Sequence, residues 1–374
     1  MKFLHLADLH IGKKLNEYPL FEDQRFVLNQ ALSLAKKEDV DAIVIAGDIY
    51  DSSAPTAEAM EFYDNFLSEL HDFGKSVLMI SGNHDSSERL HVASAILKKN
   101  NIFIVTRVED ALNPICIEGV NFYLLPYFRP SEVNYAFGPD CRSYASAMAY
   151  MVEKMDVDVK QTNVLVTHQS ILPLGVKIES SGSETAVDVD GAGSVGGTDT
   201  IDVKILECFD YLALGHIHKA QFVAGNARYA GALLKYHTKE ANAHRSFTIV
   251  DIQDKKVEVK EHPLTLLRDL VILEGTLEEL LQRKGNENDY VYARLLDEIN
   301  VDSPYNKLKA KYQFFLGLEY AHNRTTTTEA ADFEDVEKVD KTVLFSKFFS
   351  TYGGRELDQE EEKFVKQLFE EGKQ

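Results

Sequence analysis

The sequence predicts an α/β domain built on a parallel or mixed sheet, followed by smaller appendages. Three observations carry this. Short apolar runs of strand length recur through the first two-thirds of the 374-residue chain, helical patterns lie between the early runs, and the pattern changes after Pro263.

The runs come in the order "FLHLA" (3–7), "DAIVIAG" (41–47), "SVLMISG" (76–82), "IFIVT" (102–106), "FYLLPY" (122–127), "NVLVTH" (163–168), "YLALGH" (211–216) and "SFTIVDI" (246–252). Several are continuous and rich in β-branched residues, as strands buried on both faces require. Between them, "DQRFVLNQALSLAKKE" (23–38) and "TAEAMEFYDNFLSELHDFG" (56–74) read as helices, the second starting at Pro55–Thr56 and stopping at Gly74. The Gly/Ser/Asp-rich stretch 179–202 has no periodicity and reads as a long loop, either a mobile excursion or a segment that orders on binding. Residues 1–264 therefore form the main domain, and 265–320 a small strand–helix–strand–helix–strand unit. Residues 321–335 are a polar, Thr-rich linker, and 336–374 two short amphipathic helices broken at Gly353–Gly354. The apolar set Val343, Leu344, Phe345, Phe348 and Phe349 is large for such a tail. It needs a cover, from its own domain or from a partner helix.

Composition narrows the class. No stretch is apolar enough to span a bilayer, and the first residues are too polar for a signal peptide, so no membrane association is expected. Three scattered cysteines, Cys116, Cys141 and Cys208, imply a reducing compartment, the cytoplasm, and neither a disulfide frame nor a zinc knuckle. The net charge of −20 is not confined to the tail. It argues against a broad nucleic-acid-binding surface unless something other than side-chain charge attracts the polyanion.

Chemistry-bearing residues follow at least five of the apolar runs: "ADLH" (7–10), "GDIYD" (47–51), "GNHD" (82–85), "TH" (167–168) and "GHIH" (215–218). The carboxyl ends of strands in an open α/β sheet converge on one crevice, so residues scattered in sequence can meet there. Glycines at 47, 82 and 215 allow sharp turns and close backbone approach. Each motif alone is weak, because a lone DxH or HxH is more often a capped turn or a core histidine. Together they gather Asp8, Asp48, Asn83, His10, His168, His216 and His218, with His84 left over. Seven mixed donors exceed one tetrahedral zinc but suit two metals sharing a carboxylate. His/Asp/Asn donors favour Mn²⁺, with Fe²⁺ or Co²⁺ next, over Mg²⁺. Two divalent ions against two carboxylates and a hydroxide leave about +1 at the crevice floor, which can attract a phosphodiester despite the acidic chain.

D-x-H, G-D-x-x-D, G-N-H-D and G-H-x-H in this order resemble the calcineurin-like metallophosphoesterase superfamily. With "FEDQRFVLNQ", "AGDIYDSSAP", "YLALGHIHKAQ" and "YAGAL", nearly the whole chain is similar to its double-strand-break repair nucleases; beyond 265 the likeness lies in order and size more than in residues. The resemblance implies a four-layer α/β/β/α sandwich, a small α+β capping domain, and a C-terminal helical segment that grips the coiled coil of a partner ATPase. It implies that Asp8, His10, Asp48 and His218 hold one ion and that Asp48, Asn83, His168 and His216 hold the other. His84 would aid catalysis without binding metal, and Asp85 would orient it. The implied substrate is DNA, cut exonucleolytically at duplex ends with ATP hydrolysed by the partner, and endonucleolytically on single strands and hairpins. The implied setting is DNA repair, recombination and replication. Helices near 56–72 and 87–99 would form a homodimer contact, with Phe62, Phe66, Ile96 and Leu97 as candidates, inside a heterotetramer of two nuclease and two ATPase subunits.

The chain departs from the family at "GALLKYHTKEANAHRS", where a Ser-Pro-rich stretch is common. His237 and His244 there are expected to face solvent or DNA, and His5 to pack beneath the site. His71, His91, His262 and His322 are expected to be structural. A phosphoprotein phosphatase would carry arginines beside the motifs, whereas "GDIYDSS" and "SGNHD" have none. A catalytically silent scaffold would have lost ligand types, and every type is present.

Overall fold

The computed structural model describes residues 1–173, 200–297, 301–321, 345, 346, 349 and 357–371. The chain divides into two compact units, Met1–Val271 with Asn288–Tyr290, and Ile272–Glu287 with Val291–Gln374.

The first unit is built on two six-stranded sheets. The strands of these sheets are β1 (Lys2–Leu6), β2 (Ala42–Ala46), β3 (Ser76–Ile80), β4 (Ile102–Val105), β5 (Ile115–Ile117), β6 (Val120–Leu125), β7 (Thr162–Thr167), β8 (Tyr211–Leu214), β9 (Gln221–Ala224), β10 (Ala227–Tyr229), β11 (Ser246–Gln253) and β12 (Lys256–Pro263). One sheet has the order β12-β11-β1-β2-β3-β4 and the other β9-β10-β8-β7-β6-β5. β1 to β4 are mutually parallel, as are β6, β7, β8 and β10. The remaining pairings are antiparallel. All eight apolar runs are strands. The short β5, β9 and β10 and the edge strand β12, whose Lys256, Glu258, Lys260 and Glu261 discourage further pairing, had too little apolar signal to be read in advance.

Side-chain alternation explains the layers. Phe122, Leu124, Val164, Val166 and Ala213 of one sheet meet Phe3, Ala42, Val44, Ala46, Leu78 and Ile80 of the other in a single core. The rings of Phe3 and Phe122 pack edge to face at 5.4 Å across it. The alternate residues Tyr123, Leu125, Leu165, Leu212 and Leu214 turn outward onto α5 (Pro130–Phe137) and α6 (Tyr144–Met155). On the first sheet the helices are α1 (Phe21–Lys37) and α2 (Ala57–Phe73). α1 buries Val27, Leu28, Ala31, Leu32 and Ala35 at helical spacing and lies against β1. α2 starts where Thr56 Oγ1 accepts the Ala59 N–H and ends at Gly74, with φ 75°. The result is the four-layer α/β/β/α sandwich. The stretch near 87–99 is two short helices, α3 (Ser87–His91) and α4 (Ser94–Lys98), separated by left-handed Ala93 with φ 64°, a break that no glycine or proline announces.

The second unit follows the order β13 (Leu270–Gly275), α7 (Leu277–Gln282), β14 (Tyr290–Leu295), α8 (Pro304–Lys311) and β15 (Phe314–Tyr320), with the strands paired β13-β14-β15. Near the end of the chain lies α9 (Gln359–Glu371), whose Phe369 meets Phe345 edge to face at 6.2 Å. Gly353–Gly354, Val343, Leu344, Phe348, His322, most of the 321–335 linker and all but the last residues of the 179–202 loop lie outside the described residues. No described helix is long and apolar enough to cross a membrane.

Candidate metal centre

Parallel register sets the site. Leu6 pairs with Ile45, Ala46 with Ile80, and Leu214 with Thr167, so the carboxyl ends of β1, β2, β3, β7 and β8 are level. Asp8, Asp48, Asn83, His168 and His216 sit one to three residues beyond those ends. The exits are stitched together by backbone hydrogen bonds, Asp8 N–H to Gly47 C=O at 3.1 Å and His10 N–H to Asp48 C=O at 3.0 Å.

Four of the candidates are held in the left-handed backbone region: Asp8 (φ 53°), His10 (φ 44°), Asp48 (φ 51°) and His216 (φ 97°). Such residues cost about 1–3 kcal/mol each and persist only where the surroundings over-determine them, as they do at working sites. Two glycines make the approach possible. A Cβ at Gly47 would overlap the His168 ring, and one at Gly215 would overlap the Ala46 carbonyl.

Both carboxylates are anchored the same way. Asp8 Oδ1 accepts the His216 backbone N–H at 3.0 Å, and Asp48 Oδ1 accepts the His84 N–H at 2.9 Å. That leaves each Oδ2 for the cluster. Asp48 Oδ2 lies 3.7 Å from His10 Nε2 and 3.3 Å from His168 Nε2. Asp8 Oδ2 is buried with no hydrogen-bond partner. On one side His10 Nε2 and His218 Nε2 are 3.1 Å apart. On the other, Asn83 Oδ1 lies 3.1 Å from both His168 Nε2 and His216 Nδ1. The seven candidate ligands thus come together as two groups with Asp48 between them. Donor atoms of Asp8, His10 and His218, and of Asp8, Asp48 and His168, lie within 4.8 Å of one another.

The donor set fits metal ions. Two nitrogens held about 2.1 Å from one ion at right angles are themselves about 3.0 Å apart, close to the His10–His218 spacing. Metal-binding histidines usually spend their other nitrogen on a protein acceptor. His168 Nδ1 is 2.7 Å from the Ala46 carbonyl, so it donates there and its Nε2 faces the cluster. Electrostatics agree. Burial raises the Asp8 carboxyl, only partly offset by His168 and His218. Burial also opposes ionisation of Asp48, yet His168, His10 and His84 outweigh it and hold that carboxyl well below the usual range. Burial disfavours charge on His168 too, but Asp48 and Asp8 raise it to about 9. Cations suit this pocket, as protons or as metal.

His84 comes within 4.9 Å of the His10 ring, and a nitrogen of it lies within 4.8 Å of ligand atoms of His10 and Asp48. Its Nδ1 is 2.9 Å from the Asp51 carbonyl. Asp85 differs from expectation. Its two oxygens accept the N–H groups of Ile49 (3.0 Å), Tyr50 (2.8 Å) and Gly82 (2.8 Å), so it organises the β2 and β3 exits, and the acceptor fixing the His84 Nδ1 is the Asp51 carbonyl. Backbone turns of this kind leave bare N–H groups that a carboxylate satisfies.

Several supporting residues escaped the sequence reading. Gln24 donates to the carbonyls of Leu9 (3.2 Å) and His10 (2.7 Å), and Tyr236 donates to that of Leu9 at 2.7 Å. Glu240 lies 3.2 Å from His218 Nδ1. Only Asp51, which closes "GDIYD", carried a motif signal; its carboxylate is 3.5 Å from His10 Nδ1. His5 is buried in β1, His237 Nδ1 accepts the Lys239 N–H at 3.0 Å, and His244 is exposed.

Residues 1–220 match the family described as calcineurin-like phosphoesterase, and residues 266–352 match the type 5 capsule protein repressor C-terminal domain. The chain is similar to the SbcD subunit of the SbcCD nuclease of Staphylococcus epidermidis, at 32% identity over 98% of this chain and 98% of that protein. It is similar to the SbcD subunit of the SbcCD nuclease of Staphylococcus saprophyticus subsp. saprophyticus, at 30% identity over the full length of both.

Proposed function

The chain belongs to the calcineurin-like phosphoesterase family and, within it, to the SbcD subunits of SbcCD nucleases, and from that premise we propose a two-ion mechanism for its chemistry. It is a nuclease, a metal-dependent phosphodiester hydrolase. The observation that carries the mechanism is the place of Asp48, its Oδ2 between His10 and His168. In our reading Asp8, His10, Asp48 and His218 hold one ion, and Asp48, Asn83, His168 and His216 the other. Mn²⁺ suits the mixed donors best.

Ions bound there supply Lewis-acid polarisation of the phosphodiester and a more acidic water. The protein supplies orientation. The Asp51 carbonyl accepts the Nδ1–H of His84 and leaves Nε2 facing the cluster, where the doubly protonated ring gives its Nε2 proton to the leaving oxygen and becomes neutral. The hydrogen bonds through Oδ1 keep both carboxylates from rotating as charge develops.

We further propose that the substrate is DNA, cut exonucleolytically at duplex ends with ATP hydrolysed by an SbcC-type ATPase, and endonucleolytically on single strands and hairpins. In this reading 1–264 is the nuclease domain, 265–320 caps it, 321–335 links, and 336–374 binds the coiled coil of the ATPase. Two copies pair through helices near 56–72 and 87–99 in a cytoplasmic assembly of two nuclease and two ATPase subunits. The exposed Ile96 of α4 supports that face, whereas Phe62 and Phe66 of α2 are buried in the chain's own core. The test is cleavage of linear duplex, single-stranded and hairpin DNA with Mn²⁺, with and without the ATPase. Duplex-end cleavage only with ATPase and ATP is expected. No Mn²⁺ binding, or no hydrolysis of any of the three, would end this reading.

A further inference from the structure

Beside the cluster lies an ion-paired carboxylate that no motif announces. Glu240 is completely buried at the end of a single 3-10 turn, Thr238–Glu240. Its Oε1 is 3.2 Å from His218 Nδ1. Its Oε2 takes the Tyr236 backbone N–H at 2.6 Å and the Arg245 guanidinium at 2.5 Å. Arg245, itself buried, also donates to the His218 carbonyl at 2.6 Å, so one side chain grips both the ring's acceptor and the ring's own backbone.

A charged carboxylate buried this deeply needs a reason. As a mere partner for Arg245 it could lie anywhere along the strand exit. Instead its second oxygen meets the one nitrogen of His218 that faces away from the cluster. We propose that Glu240 is a positioning residue: it accepts the Nδ1–H of His218, fixes the tautomer that turns Nε2 toward His10, and makes that nitrogen a stronger donor to a divalent ion, while Arg245 holds Glu240 in place. This deepens the two-ion reading and rests on it.

The experiment is a titration of Mn²⁺ into metal-stripped full-length protein, followed by calorimetry, for wild type, Glu240→Gln, His218→Ala and the combination, with melting of each metal-free form alongside. Glu240→Gln is expected to weaken one class of Mn²⁺ site roughly 10- to 100-fold. In the His218→Ala background the same substitution is expected to cost nothing further, because its effect passes through that ring. An equal loss in both backgrounds, or none in either, overturns the proposal. If Glu240→Gln unfolds because Arg245 is stranded, Glu240→Gln with Arg245→Met removes the charge pair together and is titrated instead. If that variant also fails to fold, Glu240 is a residue of the fold and the proposal falls. Wild-type protein that binds no Mn²⁺ overturns the two-ion reading itself, a distinct failure.

Discussion

His10 and His218 face each other, Nε2 to Nε2, at 3.1 Å, although 208 positions separate them in the chain. At that distance the two nitrogens either share a proton as an N–H···N hydrogen bond or turn both lone pairs to one cation. Their other nitrogens are turned to carboxylates, His10 toward Asp51 and His218 toward Glu240. The hydrogen bond behind His218 keeps that ring aimed whether or not anything is bound, while His10 Nδ1 lies 3.5 Å from the Asp51 carboxylate without a hydrogen bond.

Removing His84 separates binding from chemistry. His84→Ala is expected to keep Mn²⁺ affinity within a few-fold, because the carboxylates and the other imidazoles remain. Cleavage should fall by about 10²–10⁴-fold, the usual worth of a general acid. Calorimetric titration beside a single-turnover assay checks this. Loss of both ions in the variant would make His84 a ligand.

Metal uptake should release protons. Without metal, His168 is charged up to about pH 9 because Asp48 and Asp8 outweigh its burial. It must be neutral at Nε2 to bind an ion, so Mn²⁺ affinity should rise with pH toward 9, by roughly tenfold per pH unit for each proton displaced. Titrations in buffers of differing ionisation enthalpy count the protons. A pH-independent affinity between 6 and 8 would contradict a charged His168 in the metal-free cluster.

A methyl group at Gly215 should damage the site more than the fold. Its Cβ would overlap the Ala46 carbonyl and come 2.7 Å from His168 Nδ1, breaking the hydrogen bond that orients that ring. Gly215→Ala is expected to destabilise by about 1–3 kcal/mol, as overpacking does, and to weaken Mn²⁺ binding by more than that strain explains. Denaturant melts and calorimetry on the same protein decide it.

His5 gives the fold an acid limit of its own. Burial, then the nearby Arg228, lowers its imidazole from the ordinary 6.5 to about 3. The unfolded chain therefore takes up a proton near pH 6.5 that the folded chain refuses until about pH 3. Stability is full above pH 6.5 and drains as pH falls toward 3, by several kcal/mol at most, on the order of 1.4 kcal/mol per pH unit. In metal-free His5→Gln, the loss between pH 6 and 4 should be visibly smaller than in wild type by denaturant titration.

The sequence by itself determined the strands and their exits, and the four layers only through the family resemblance. Continuous apolar runs such as 41–47 and 163–168 specify strands buried on both faces, and the polar residues that end them specify where a parallel sheet gathers its chemistry. Thr56 and Gly74 bounded α2 because capping is local chemistry. What only the tertiary structure decided is what depends on contacts between distant segments. Asp85, next to His84 in the chain, serves the backbone of residues 49, 50 and 82, while the carbonyl of Asp51 takes the His84 ring. Glu240 and Arg245 carry no periodicity or motif, and only the fold brings them behind His218. Local patterns encode which face a residue takes, because propensity and periodicity act over a few residues. Which atom meets which is set by strand register and by left-handed backbone at Asp8, His10, Asp48 and His216, and these exist only once the sheets have packed.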